Sequence, residues 1–178
     1  MKLLRTIRLD PSDTFVFDRA AEPGEWAVPG GFVFFNAAPD ALDGKTRAAL
    51  RAGLLGIESL GWSTLVQVVE ASESDRAEMV DRLAQQLVDH FGAPDLAIAR
   101  PAAEEEVAFA GTLTDHPAGT LIAVHRVYED GAIRETFRTL RPRAGEKPQR
   151  AFAFMEVEGE EEPGDDVDLV DLARGASK

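Results

Sequence analysis

Three histidines, His90, His116 and His125, are the chain's only imidazoles, and their spacing matches no metal signature. There is no cysteine, which removes thiol nucleophiles, disulfides and cysteine-ligated metals together. His125 has the most chemical neighbourhood. It falls in a strand-like run, and the pairing inferred below sets it beside Thr136 with Arg134 and Arg138 diagonal to it. With Arg141 added, these residues make a candidate anion-binding patch: His125, Arg134, Arg138 and Arg141. His90 falls in the last turn of a predicted helix, where a cation complements the dipole, and His116 precedes a proline in an exposed turn. Ser63 lacks the GxSxG surroundings of a nucleophile elbow. Glu58 and Glu70 flank the same region and would serve as acid or base only if buried. Glu104, Glu105 and Glu106 read as the solvated first turn of a helix rather than as a metal site. No residue is assigned as catalytic or metal-binding, and no cofactor is expected. No GxGxxG or Walker pattern is present, and the glycines at 53, 56 and 61 are read as a helix end and close packing rather than a ligand cradle.

The charge balance narrows the partners. A formal net charge of −13 argues against nucleic acid, because phosphate repulsion must first be overcome. Residues 126–150 break the pattern with seven bases against four acids, and residues 156–178 follow with nine acids against two bases. No run approaches the roughly 20 apolar residues of a membrane span, and Arg5 and Arg8 interrupt the first segment where a signal sequence would lie. A soluble, cytoplasmic protein is expected. With 178 residues and 44% hydrophobic content, one domain over 1–157 and an acidic, flexible tail over 158–178 is the natural division.

The elements that must hold these residues centre on Gly61 to Gly92. Trp62 to Val69 reads as one strand, followed by Ser72 and Asp75 in capping-box spacing. Met79, Val80, Leu83, Ala84, Leu87, Val88 and Phe91 then recur at helical period, with Gln85 and Gln86 on other faces. Before it, Lys2–Leu9, Thr14–Phe17 and the two halves Trp26–Val28 and Phe32–Phe35 read as strands, the halves joined by Pro29-Gly30-Gly31 as a bulge or sheet edge. A helix spans Asp40 to Ala52 with Asp43 as N-cap. After it, Asp95–Ala99 reads as a short strand and Pro101 opens a helix to Gly111.

Thr120 to Leu140 is a hairpin turning at Asp130-Gly131, a dipeptide that tolerates positive φ in a tight turn. A two-residue loop pairs Arg126 with Glu135, Val124 with Phe137 and Tyr128 with Ile133 on one face. On the other it pairs His125 with Thr136, Val127 with Arg134 and Ala123 with Arg138. Ala151–Val157 reads as a last strand.

The runs Leu4 to Phe17 and Gly56 to Val66 resemble a small family of uncharacterised alphaproteobacterial proteins, over most of residues 1–155. The resemblance implies a bacterial, cytoplasmic, single-domain protein and carries over no active-site residue. The expected fold is α+β: an antiparallel or mixed sheet of about six strands, covered mainly on one face by helices near 43–53, 73–91 and 101–110. The expected function is a non-enzymatic accessory or binding protein that meets a protein partner or an anionic small ligand through the hairpin. The alternatives are a small-molecule enzyme using His125 and its arginines, and a structural homodimer joined at sheet edges.

Overall fold

The computed structural model describes residues 1–142 and 155–158. The fold is α+β. A five-stranded antiparallel sheet is ordered β1 (Lys2–Ile7), β5 (Leu65–Glu70), β6 (Leu121–Glu129), β7 (Ala132–Pro142), β8 (Met155–Glu158). A three-stranded antiparallel sheet contains β2 (Ala27–Val28), β3 (Leu54–Gly56) and β4 (Trp62–Ser63). Helices α1 (Asp13–Val16), α2 (Gly44–Ala52), α3 (Glu73–His90) and α4 (Leu96–Thr112), with 3-10 turns at Gly31–Phe34 and Pro39–Ala41, complete the described elements.

One face of the large sheet forms the core. Leu4, Val66, Val68, Ile122 and Val124 meet Met79, Val80, Leu83 and Ala84 of α3 and Ala99, Ala103, Val107 and Ala110 of α4. Helix α3 forms where its sequence says it should. Ser72 and Asp75 make the reciprocal capping box, and the apolar period packs inward. Gln86 is an exception: it is buried and donates to the carbonyls of Ile57 and Glu58. Phe91, expected on the buried stripe, is exposed at the C-cap and packs edge-to-face on Phe32.

Four local expectations are corrected. Thr14–Phe17 is not a strand: Asp13–Val16 is a single helical turn, because the buried Asp13 carboxylate accepts from the backbone and hydroxyl of Thr64 and pins the chain there. Phe32–Phe35 is not a strand half either. Gly30 enters the left-handed region (φ 77°) and Gly31–Phe34 coils into a 3-10 turn. The Trp62–Val69 run is split at Thr64 into β4 and β5, so one apolar stretch serves both sheets. Asp95–Ala99 is the start of α4, with Asp95 as N-cap accepting from Ile98. Pro101 therefore lies inside that helix rather than at its first position, and it removes the donor that would reach the Ala97 carbonyl.

Candidate functional site

The hairpin β6–β7 is built as its turn demands. Asp130 (φ 52°) and Gly131 (φ 78°) both occupy the left-handed region of a two-residue turn. The resulting register pairs His125 with Thr136, Arg126 with Glu135, Val124 with Phe137 and Ala123 with Arg138. Alternation then divides the hairpin into two chemically opposite faces.

On the outer face His125, Val127, Arg134, Thr136 and Arg138 are all exposed. Arg134 lies 3.5 Å from Glu129 in an ion pair open to water on both sides. His125 and Thr136 face each other, with Arg134 and Arg138 at the diagonal positions, about 7–8 Å apart by sheet geometry. The structure thus brings together three of the four residues predicted as an anion patch. Arg141 is the exception. It follows Leu140 along β7 and falls, with Phe137 and Glu135, on the opposite face.

The inner face holds a polar constellation that sequence reasoning reached only in part. Arg126 is 2% exposed. Its Nε donates to Glu135 Oε1 at 3.0 Å, and its two terminal nitrogens donate to the carbonyls of Leu50, Gly53 and Pro29. One guanidinium thereby closes the C-terminal end of α2, ties it to the Pro29 loop and neutralises a half-buried carboxylate. Burial depresses the Arg126 pKa, while Glu135 and Glu106 push it back up.

Glu106 departs from its neighbours. Glu104 and Glu105 are exposed, as expected, but Glu106 turns inward and accepts from Gly30 N at 2.8 Å. Burial raises its pKa above the ordinary carboxylate value, with Glu135 adding to the rise and the Gly30 bond and Arg126 opposing it. Pro29-Gly30-Gly31 has its reason here. Pro29 supplies a carbonyl, Gly30 an amide, and Gly31 lacks the Cβ that would overlap Glu135 Oε1. Phe109 of α4 packs edge-to-face on Phe137 at 5.8 Å and closes the same side. The signal available in the sequence was the Pro-Gly-Gly run; nothing in it named Arg126 as the partner.

The remaining candidates have structural occupations. Ser63 is buried and donates to the Ile7 and Leu65 carbonyls at the junction of the two sheets. Glu58 is exposed and pairs with Arg82 at 3.0 Å, and Glu70 is exposed at the end of β5. His90 is exposed in the last turn of α3; His116 is half-buried, and its carbonyl accepts from Lys2. The loop after β3 is a second feature the sequence did not announce. Leu60 is held at φ 54°, unusual for a bulky residue. Around it the Glu25 carboxylate accepts from the amides of Glu22, Glu58 and Ser59 and from the Ser59 hydroxyl. The glycines at 53, 56 and 61 have no room for a Cβ against Trp62, Glu25 and the Ala20 backbone, so they serve packing.

A cleft of about 130 Å³ opens elsewhere, beside the stacked Phe34–Trp62 pair, and is lined by Asp18, Arg19, Lys45 and Thr46 among others but by none of the four patch residues. Among the described residues no group of three or more histidine, cysteine or carboxylate side chains could hold a metal ion. Nor is any helix among them long and apolar enough to cross a membrane.

The chain belongs to a family of unknown function (DUF6505), whose model matches residues 1–157. No curated protein and no solved structure matches it.

Proposed function

We propose that the protein is a non-enzymatic binding protein, an accessory factor of the bacterial cytoplasm, that takes an acidic segment of a protein partner on the outer face of the β6–β7 hairpin. The observation that carries this reading is the placement of His125, Arg134 and Arg138 as neighbours on an exposed strand pair. An exposed, cationic strand face suits an extended acidic chain, whose carboxylates can meet arginine forks in bidentate fashion. It suits catalysis less, because these three side chains lie open to water, and the cleft beside Phe34 and Trp62, where a substrate could be held, is lined by none of them. Within an acidic protein, a local cationic face also makes attraction selective, since the rest of the surface repels the same partner. The test is titration of the full chain with a fluorescent glutamate-rich peptide and with its glutamine counterpart. The glutamate peptide should bind, and added salt should weaken it. The paired substitution Arg134→Gln, Arg138→Gln should abolish most of the affinity. Equal binding of both peptides, or unchanged affinity in the variant, refutes the reading. Competition by free citrate at equal charge concentration would instead mark a small anionic ligand.

A further inference from the structure

Away from the hairpin, the cleft beside β4 joins an aromatic floor to a charged rim. Phe34 and Trp62 stack at 5.1 Å with their planes 26° apart, Val33 and Ala49 add apolar wall, and the hollow measures about 130 Å³. Asp18, Arg19, Lys45 and Thr46 stand around it. The indole of Trp62 is fixed by two glycines. A Cβ at Gly53 would overlap its Cε3 and one at Gly30 would crowd its Cζ3, so the benzo edge fills the space they leave. The opposite edge of the ring carries Nε1, and among the described residues that N–H has no acceptor. Arg19 is anchored through Nη1 on the Ser59 carbonyl at 3.0 Å, which leaves most of its five donors unused. Lys45 is exposed and forms no ion pair among the described residues.

We propose that this cleft binds a small aromatic monocarboxylate, with its ring against the Phe34–Trp62 pair and its carboxylate on Lys45 at the rim. Small-molecule sites pair apolar walls with a few placed polar groups, and this cleft has that composition. Volume sets the size of the ligand. A cavity of about 150 Å³ accepts benzene, so a single ring fills this one and leaves its carboxylate at the mouth. Charge sets its sign and number. Lys45 and Arg19 outnumber Asp18 by one, which suits a monoanion, whereas a phosphate dianion would bring a second negative charge up to Asp18. Thr46 Oγ and Trp62 Nε1 add neutral donors that an apolar hydrocarbon would leave unused. No residue of the hairpin patch lines the cleft, so this site stands or falls apart from the binding reading above.

The chain has two tryptophans, Trp26 and Trp62, so a spectrum of the indole N–H groups carries its own control. Benzoate added to the full chain should shift the Trp62 resonance, with saturation in the millimolar range, and leave that of Trp26 in place. Benzamide has the same shape without the charge and should bind about three- to tenfold more weakly. Lys45→Gln, at an exposed position, should weaken benzoate by a similar factor and leave benzamide unchanged. Thr46→Phe puts a ring in the mouth while keeping the backbone amide that Asp43 caps, and it should abolish the response to both compounds. The hairpin variant Arg134→Gln, Arg138→Gln should bind benzoate as wild type does. An unmoved Trp62 resonance, equal shifts at both indoles, or equal affinity for benzoate and benzamide each overturns the proposal. So does a benzoate response that survives Lys45→Gln in full and is lost in the hairpin variant. A protein that binds benzoate as described but not the glutamate peptide refutes the binding reading alone.

Discussion

Arg126 and Arg138 belong to the two faces of one hairpin, and the protein uses them for opposite purposes. Arg126 has surrendered its water: four oxygens from three other parts of the chain surround it, and none is offered to a ligand. Arg138 keeps its water and, among the described residues, has no ion pair. A guanidinium serves both ends because its donors are numerous, planar and always charged. The inner arginine ties the hairpin to α2 and the Pro29 loop, and the outer ones lie on the exposed face of the same strands.

The largest effect should come from Arg126→Met. The change leaves the Leu50, Gly53 and Pro29 carbonyls without their donor and Glu135 without its counter-charge, and removing one member of a buried pair costs about 3–5 kcal/mol. Glu135→Gln should cost less, because its side chain keeps 19% exposure and the three carbonyls stay served. Denaturant melts of the two variants check the order; equal losses would mean that the ion pair, not the carbonyl contacts, dominates the site.

Gly31→Ala comes next, at about 1–3 kcal/mol, since the new methyl group must displace the Glu135 carboxylate from Arg126. The same substitution in a Glu135→Ala background should cost much less. If the cost persists there, the backbone of the 3-10 turn and not the carboxylate sets it.

These two sites show where sequence reasoning reached and where it stopped. The hairpin register was legible because Asp130-Gly131 leaves few turn geometries open and the alternation does the rest. Helix α3 was legible because its cap and its period agree. The α+β class and the helices on one face followed from those units. What failed did so through contacts distant in sequence. Thr14 to Phe17 has the residues of a strand, yet Asp13 bonding to Thr64, 51 positions away, overrides that propensity. Leu96–Ala99 is apolar enough for a strand, but Asp95 just before it caps a helix, which puts Pro101 inside that helix rather than at its start. In the site, strand alternation puts His125 and Arg138 on one face of the hairpin and Arg141 on the other. The inward turn of Glu106 among three consecutive glutamates has no signature short of knowing where Gly30 lies.

Glu106 gives a smaller effect with a definite sign. Its folded pKa lies above the ordinary 4.5, so between those two values the folded state holds more protons than the unfolded one. Its contribution therefore falls as pH rises through that window. Asp43 and Asp75 work the other way: their pKa values are lowered, by the Thr46 amide and the Ser72 hydroxyl first, and their contribution is lost as pH falls. Glu106→Gln keeps an oxygen for the Gly30 amide and removes the buried charge. The variant's stability relative to wild type should rise with pH from about 4.5 upward, measured by thermal melts at a series of pH values. A difference that is flat across this range would mean that Arg126 already compensates Glu106 in full.

The smallest change in stability should come from the outer face. Arg134 and Arg138 are exposed, and Glu129, which pairs with Arg134, is exposed as well, so the pair lies in water where ion pairs contribute little. Arg134→Gln and Arg138→Gln should each move the unfolding free energy by no more than about 0.5 kcal/mol. Glutamine keeps polarity and much of the aliphatic stem, so the strand face loses charge and little else. The same two substitutions should nonetheless remove most of the affinity for the glutamate peptide. Arg126→Met, the most damaging to stability, should leave residual affinity in proportion to the folded fraction. Measured together in one buffer, stability and affinity should thus rank these variants in opposite orders. If Arg138→Gln instead destabilises the fold by several kcal/mol, the outer face is part of the protein's packing, and the division of labour between the two arginines is refuted.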